Sequence, residues 1–110
     1  MKLAEKVLNT VNEMGTVGKF SNCIVIINSL DHGNPHVHYI CNGDLVAKIE
    51  IPDKDVKNQS ELVLIEKGIA HKEHLMNNFV KWINSYKQLK DGSKIKNYDY
   101  ASTAWNILHD

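Results

Sequence analysis

Asn42-Gly43 sits between two strand-like runs, His36 to Cys41 and Leu45 to Ile51. A two-residue hairpin turn needs positive φ at both central residues, and Asn-Gly supplies that at the lowest steric cost. Pro35 precedes the first run and Pro52 follows the second. Neither proline can donate to a ladder, so the pair bounds the hairpin, and Pro35 also pushes Asn34 into an extended conformation. A two-residue turn sets Cys41 opposite Asp44, Tyr39 opposite Val46, His38 opposite Ala47 and His36 opposite Ile49. Strand alternation then collects His36, His38, Ile40, Leu45, Ala47, Ile49 and Ile51 on one face. Val37, Tyr39, Cys41, Asp44, Val46, Lys48 and Glu50 fall on the other, wetter face. The expectation is that His36 and His38 share the apolar face with Ile40 and Ala47 and turn toward the helices. A three-residue Asn42-Gly43-Asp44 loop would pair Cys41 with Leu45 and break this segregation.

The rest of the chain supplies what such a hairpin packs against. Leu3, Ala4, Val7, Leu8, Val11 and Met14 recur at helical spacing over Lys2–Met14, with Gly15 where a C-cap is wanted. Phe20 to Asn28 is dense in β-branched residues and apolar on both faces, the pattern of a covered or central strand. Asp53 to Gln59 is a polar loop. Glu61 to Glu66 fits either a buried strand or a helix, and Gly68 tips the reading to strand. Leu75, Phe79, Trp82, Ile83, Tyr86 and Leu89 draw one helical stripe over His71–Leu89, stopped by Asp91-Gly92-Ser93. Tyr100, Ala101, Ala104, Trp105 and Leu108 make a last short stripe, marginal alone, that must dock on the body or on a second copy. The order α-β-β-β-(β)-α-α predicts a single α+β domain over residues 1–110. Its expected core is an antiparallel meander of three to four strands with helices packed on one face, and terminal helices are added to it.

Composition narrows the function classes. The 13 basic and 13 acidic residues balance, so no net field draws the chain to nucleic acid or to an anionic membrane. Every basic residue is a lysine. Without arginine there is no bidentate grip on guanine or phosphate, which argues against sequence-specific nucleic acid as a partner. Cys23 and Cys41 lie 18 apart with no C-x-x-C pattern and read as buried free thiols in a reducing cytoplasm. The polar N-terminus is no signal peptide and no apolar run is long enough to span a bilayer, so the expectation is a cytoplasmic protein without a membrane partner. Phosphate-loop, dinucleotide and nucleophile-elbow motifs are missing. Trp82 and Trp105 read as core, and Lys87, Lys90, Lys94 and Lys96 as a solvated surface.

Three of the six histidines fall within Asp31-His32-Gly33-Asn34-Pro35-His36-Val37-His38-Tyr39. Histidines on an apolar face need partners, because an unpaired buried imidazole is costly. His36 and His38, two apart on one strand, can converge on one ion, and His32 can add a third nitrogen from the preceding loop. A divalent metal such as zinc is the cofactor this trio would take; the same trio could do catalytic acid–base work, since imidazole titrates near neutrality. Asp31, His71, Glu73 and His74 are the candidates to complete either site. The structural alternative has the imidazoles bonded to backbone carbonyls as a knot at the strand entry. The run from His36 also starts like the histidine-triad nucleotide hydrolase motif, but its third histidine would fall at Ile40, so the nucleophile is missing.

The stretch Asp31 to His38 resembles the signature of a bacterial and phage domain-of-unknown-function family with an H-x-x-P-H-x-H motif. Its members place the motif after a first strand, then a hairpin strand, then a helix with Trp-Ile near its middle. Here Ile24–Ile27, the motif, Leu45–Ile51 and Lys81-Trp82-Ile83 follow that order, and the resemblance covers about residues 20–89. It implies no established activity. Because members are often encoded beside antitoxin-like or DNA-binding proteins, it implies an accessory role in a toxin–antitoxin-like or mobile-element gene module of a bacterial host or phage-infected cell. The chain departs from the family by its terminal helices and by Asn34, where many members have a second proline. Two functional classes follow. The favoured one is a protein-binding or regulatory module whose partner is another small protein or a second copy. The other is a small hydrolase or nuclease using His32, His36 and His38, with or without a metal.

Overall fold

Every strand of the main sheet pairs with its sequence neighbour. The computed structural model describes residues 2–10 and 15–109. In chain order these form α1 (Leu3–Leu8), β1 (Thr16–Phe20), β2 (Cys23–Ile26), β3 (His36–Cys41), β4 (Asp44–Glu50), a 3-10 turn (Gln59–Glu61) and β5 (Leu64–Lys67). Then come α2 (Glu73–Asn84), β6 (Tyr86–Gln88), β7 (Lys94–Lys96) and α3 (Asn97–His109). Strands β1 to β5 make a five-stranded antiparallel meander, and β6 and β7 a separate two-stranded ribbon. The α+β class is as expected, with five strands where three to four were anticipated.

The Asn42-Gly43 turn forms with both residues at positive φ, 52° and 82°, and Cys41 faces Asp44 as expected. The register then departs from simple alternation. Ile40 faces Leu45 but Tyr39 faces Ala47, leaving Val46 as the surplus residue of a β-bulge. His38 therefore lies opposite Lys48 instead of Ala47, and His36 opposite Glu50 instead of Ile49. Val37 and Tyr39 are wholly buried. The Tyr39 hydroxyl donates to the Leu75 carbonyl of α2 at 2.8 Å, and its ring lies 5.2 Å from that of Phe79. The helix-packed face thus carries Val37, Tyr39 and Cys41 with Ala47 and Ile49. The expectation that His36 and His38 share a face with Ala47 is overturned, and it is Tyr39 that meets α2; the histidines keep the face of Ile40, and His36 meets a helix through Trp105 of α3, 5.1 Å away. The bulge explains why: it buries both Val46 and Ala47 and leaves Lys48 and Glu50 on the solvated side, where their charges keep water.

Four aromatic rings close the core between sheet and helix. Phe20 lies 5.7 Å from Tyr39 and 5.9 Å from Trp82, and Phe79 lies 5.6 Å from Trp82. Gly18 makes this approach possible, since a Cβ there would stand 2.3 Å from the Trp82 ring. Cys23 and Cys41 are direct partners across β2 and β3 and are joined as a disulfide. The expectation of two free thiols fails because only the strand register brings them face to face.

Other boundaries shift for local reasons. The first helix runs over Leu3–Leu8 within the longer Lys2–Met14 stretch, and residues 11–14 lie outside the described residues. Phe20–Asn28 is not one strand: Phe20 ends β1, and Ser21, at φ 51°, turns the chain into β2. The strand expected near Glu61–Glu66 exists as β5, but as an edge with Ile65, Glu66 and Lys67 exposed. Helix α2 stops at Asn84, short of Leu89. The Ser85 hydroxyl donates back to the Lys81 carbonyl, and the Ser85 carbonyl accepts from the Asn97 amide, so Tyr86 enters a strand. Helix α3 forms over the last stripe and packs on α1, α2 and β1. No helix among the described residues is long and apolar enough to cross a membrane.

Candidate metal centre

The loop between β2 and β3 folds back on the strand that follows it. The Asn28 side chain accepts from the Leu30 amide and its carbonyl accepts from the Asp31 amide, a tight turn that swings Asp31 toward β3. One carboxylate oxygen of Asp31, Oδ2, lies 3.0 Å from His36 Nε2 and 2.6 Å from His38 Nε2. The two imidazoles are stacked at 5.6 Å and 17°. Burial grades across the three side chains, from 7% exposed at His36 through 15% at His38 to 24% at Asp31. Trp105 of α3 lies 5.1 Å from the His36 ring. His109 stacks on the far side of this contact, 3.7 Å from Trp105, and its Nδ1 donates to the Trp105 carbonyl.

The backbone fixes the His36 ring. Nδ1–H donates to the Asn34 carbonyl at 2.9 Å, which in a neutral imidazole leaves Nε2 as a lone pair. That lone pair points at a carboxylate oxygen 3.0 Å away. Two acceptors cannot face each other at this distance unaided, so the gap needs a proton on His36 or a cation between the groups. A backbone carbonyl that sets the tautomer and presents the other nitrogen is also how metal-ligating histidines are commonly oriented.

Asp31, His36 and His38 each offer one ligand atom, and these atoms all lie within 4.8 Å of one another. A tetrahedral zinc with bonds of about 2.0–2.1 Å spaces its ligand atoms about 3.3 Å apart. To accept it, the contacts of Asp31 to His36 and His38, at 3.0 and 2.6 Å, would open by about 0.3 and about 0.7 Å. Two imidazoles and one carboxylate make a donor set suited to zinc and related divalent ions, and three protein ligands leave a coordination position open.

Of the residues singled out from sequence, His36 and His38 come together. His32 is exposed and stands outside the group, with Asp31 in the third place. His71, Glu73 and His74, before and within the first turn of α2, do not join it either. Three further neighbours had no signal in the sequence. Trp105 looked like any core residue of a helical stripe. Glu50 and Lys48 reach the histidines' neighbourhood only through the bulge. The Asn34 side-chain Nδ2 donates to Glu50 Oε2 at 3.4 Å while the Asn34 backbone carbonyl holds His36.

Burial alone would push the Asp31 carboxyl up. The hydrogen bond and charge of His38, with those of His36, outweigh burial and hold it below its ordinary value. Asp31 is therefore an anion ready to ligate. No protein-family model, curated protein or solved structure matches this chain.

Proposed function

We propose that the chain is a metalloprotein that binds one divalent cation, zinc foremost, through Asp31 Oδ2, His36 Nε2 and His38 Nε2, with an open position for water or substrate. The observation that carries this reading is that both ring nitrogens of His36 face acceptor oxygens, Nδ1 the Asn34 carbonyl and Nε2 the Asp31 carboxylate. In the absence of metal the geometry calls for a ring proton in each Nε2 contact to Asp31. A bound cation would take the place of both contacts. His36 would give up its Nε2 proton and His38 would carry its own on Nδ1, so about one proton would be released per ion bound.

Calorimetry of zinc binding in two buffers of different ionisation enthalpy tests this directly. Equimolar uptake with release of about one proton is expected, together with a change in Trp105 fluorescence and a raised melting temperature. His36→Ala and His38→Ala should abolish all three. A parent chain that takes up neither zinc, nickel nor manganese would sink the proposal.

The protein-binding reading keeps one supporting observation. Val63, Ile65 and Ile69 are exposed along or beside β5, which is an edge strand of the sheet. Such an edge suits a small protein partner or a second copy, in keeping with the resemblance to module-encoded accessory proteins. Sedimentation of the chain alone, across concentration, checks the self-association form of it.

A further inference from the structure

The bulge at Val46 does more than separate the histidines from Ala47. It sets Lys48 directly opposite His38 and Glu50 directly opposite His36 on the same face of β3 and β4. Simple alternation would have placed Ala47 and Ile49 there, and the histidines would have faced an inert surface. The face beside the Asp31–His36–His38 cluster therefore holds one ammonium and one carboxylate. Glu50 is tied to the ligand loop through Asn34. Among the described residues the partner of the Lys48 ammonium is Glu66, at 3.3 Å, and Glu66 is itself exposed. An exposed pair of that kind is weak, so the ammonium can be drawn to a stronger partner.

We infer that the metal centre binds an oxyanion, with one anion oxygen on the open coordination position of the cation and the remaining negative charge on Lys48. The inference rests on the metal reading above and names the ligand class for that site. A divalent cation held by one carboxylate and two neutral imidazoles keeps a net positive charge, and an anionic oxygen is the ligand that neutralises it. Opposite positions on neighbouring strands have Cβ atoms about 4.5–5.5 Å apart. An oxyanion on the cation thus lies within reach of a lysine that partners one of its ligands. Phosphate and carboxylate share this chemistry. Phosphate, with more charge and more oxygens to span from metal to ammonium, is expected to bind better.

The test uses the full chain loaded with cobalt, whose visible spectrum reports exchange at an open coordination position, and with zinc for calorimetry. Inorganic phosphate and acetate are titrated into the parent, Lys48→Met and Lys48→Arg. The parent should change its cobalt spectrum with phosphate at lower concentration than with acetate. Lys48→Met should weaken phosphate about fivefold, as expected for losing one partly exposed charge pair. It should leave metal affinity and melting temperature close to the parent's, and Lys48→Arg should restore phosphate binding. A loaded parent indifferent to both anions overturns the inference, and so does Lys48→Met binding phosphate as the parent does. Tighter acetate than phosphate overturns the phosphate assignment. A chain that takes up no metal overturns this inference together with the reading beneath it.

Discussion

The two faces of β3 have different work. On one, Val37, Tyr39 and Cys41 are buried against α2 and the neighbouring strands, and the one hydroxyl among them is satisfied by a helix carbonyl. On the other, His36 and His38 share a single carboxylate oxygen with an acceptor facing an acceptor, an arrangement settled only by a proton or a cation. The first face holds by shape and apolar area; the second holds by charge and is left incomplete. Polar groups that a fold leaves poised in this way are where chemistry is to be sought. Six residues of one strand thus separate an apolar face from a polar one by parity alone.

The largest test of that separation is on the inner face. Tyr39→Ala removes a buried ring and its hydrogen bond to the Leu75 carbonyl, and should cost about 3–5 kcal/mol of stability by denaturant unfolding. Any metal binding should fall only as far as the folded fraction falls. Next in size is the Cys23–Cys41 bond on the same side. Opening this cross-link, with its separation of 18 residues, by reduction or by Cys41→Ser should cost about 3 kcal/mol, again without selective loss at the histidines. A midpoint unmoved by reductant would show that the cross-link adds nothing to the inner face.

The outer face should respond in the opposite sense. Asp31→Asn should cost about 1 kcal/mol at neutral pH yet remove metal uptake outright. Its stability effect has a definite pH dependence. The folded carboxyl titrates below 3.8, so its contribution is complete above that value and is lost as pH falls through the lower folded value. The part of the gap between parent and Asp31→Asn that the carboxylate's own titration controls should therefore close as pH falls below 3.8. A gap that widens in acid would mean the carboxylate is not the partner drawn here. The smallest effect expected is on Asp91, exposed and held down to about 2, first by the Ser93 side chain, then by the Ser93 amide and Lys6. Asp91→Asn should leave stability almost unchanged near neutrality, with any difference fading as pH drops from 3.8 toward 2.

The hairpin was legible because Asn42-Gly43 fixes turn type locally, and α3 because Tyr100, Ala101, Ala104 and Trp105 repeat at helical spacing. The bulge was not, since nothing about Val46 marks it as surplus; its position follows from filling the core with both Val46 and Ala47. One missed residue in the count reversed which neighbours the histidines meet. Strand β1 was hidden because Gly18 and Lys19 interrupt any apolar pattern, and the need for Gly18 lies in Trp82, remote in sequence. The stripe over α2 ran on into Tyr86 and Leu89 because a strand and a turn happen to continue the helical spacing. At the site, Asp31, His36 and His38 were all recognisable as ligand types. The preference for His32 over Asp31 as third ligand came from residue identity, whereas the turn at Asn28 decides which of the two reaches β3.

The disulfide has a topological consequence for the proposed metal centre. Asp31, His36 and His38 all lie between Cys23 and Cys41, inside one covalent ring. Unfolding such a chain does not disperse the three donors. The ring caps how far apart they can drift and preserves a raised effective concentration of each for the others. An oxidised, unfolded chain should therefore still chelate weakly, and any affinity for the unfolded state subtracts from the stabilisation a metal confers. The reduced chain keeps less of that residual grip when it unfolds, since only the short sequence separation of the donors then holds them together. Metal should raise the melting temperature of the reduced protein by more than that of the oxidised one, even though the folded centre is the same in both.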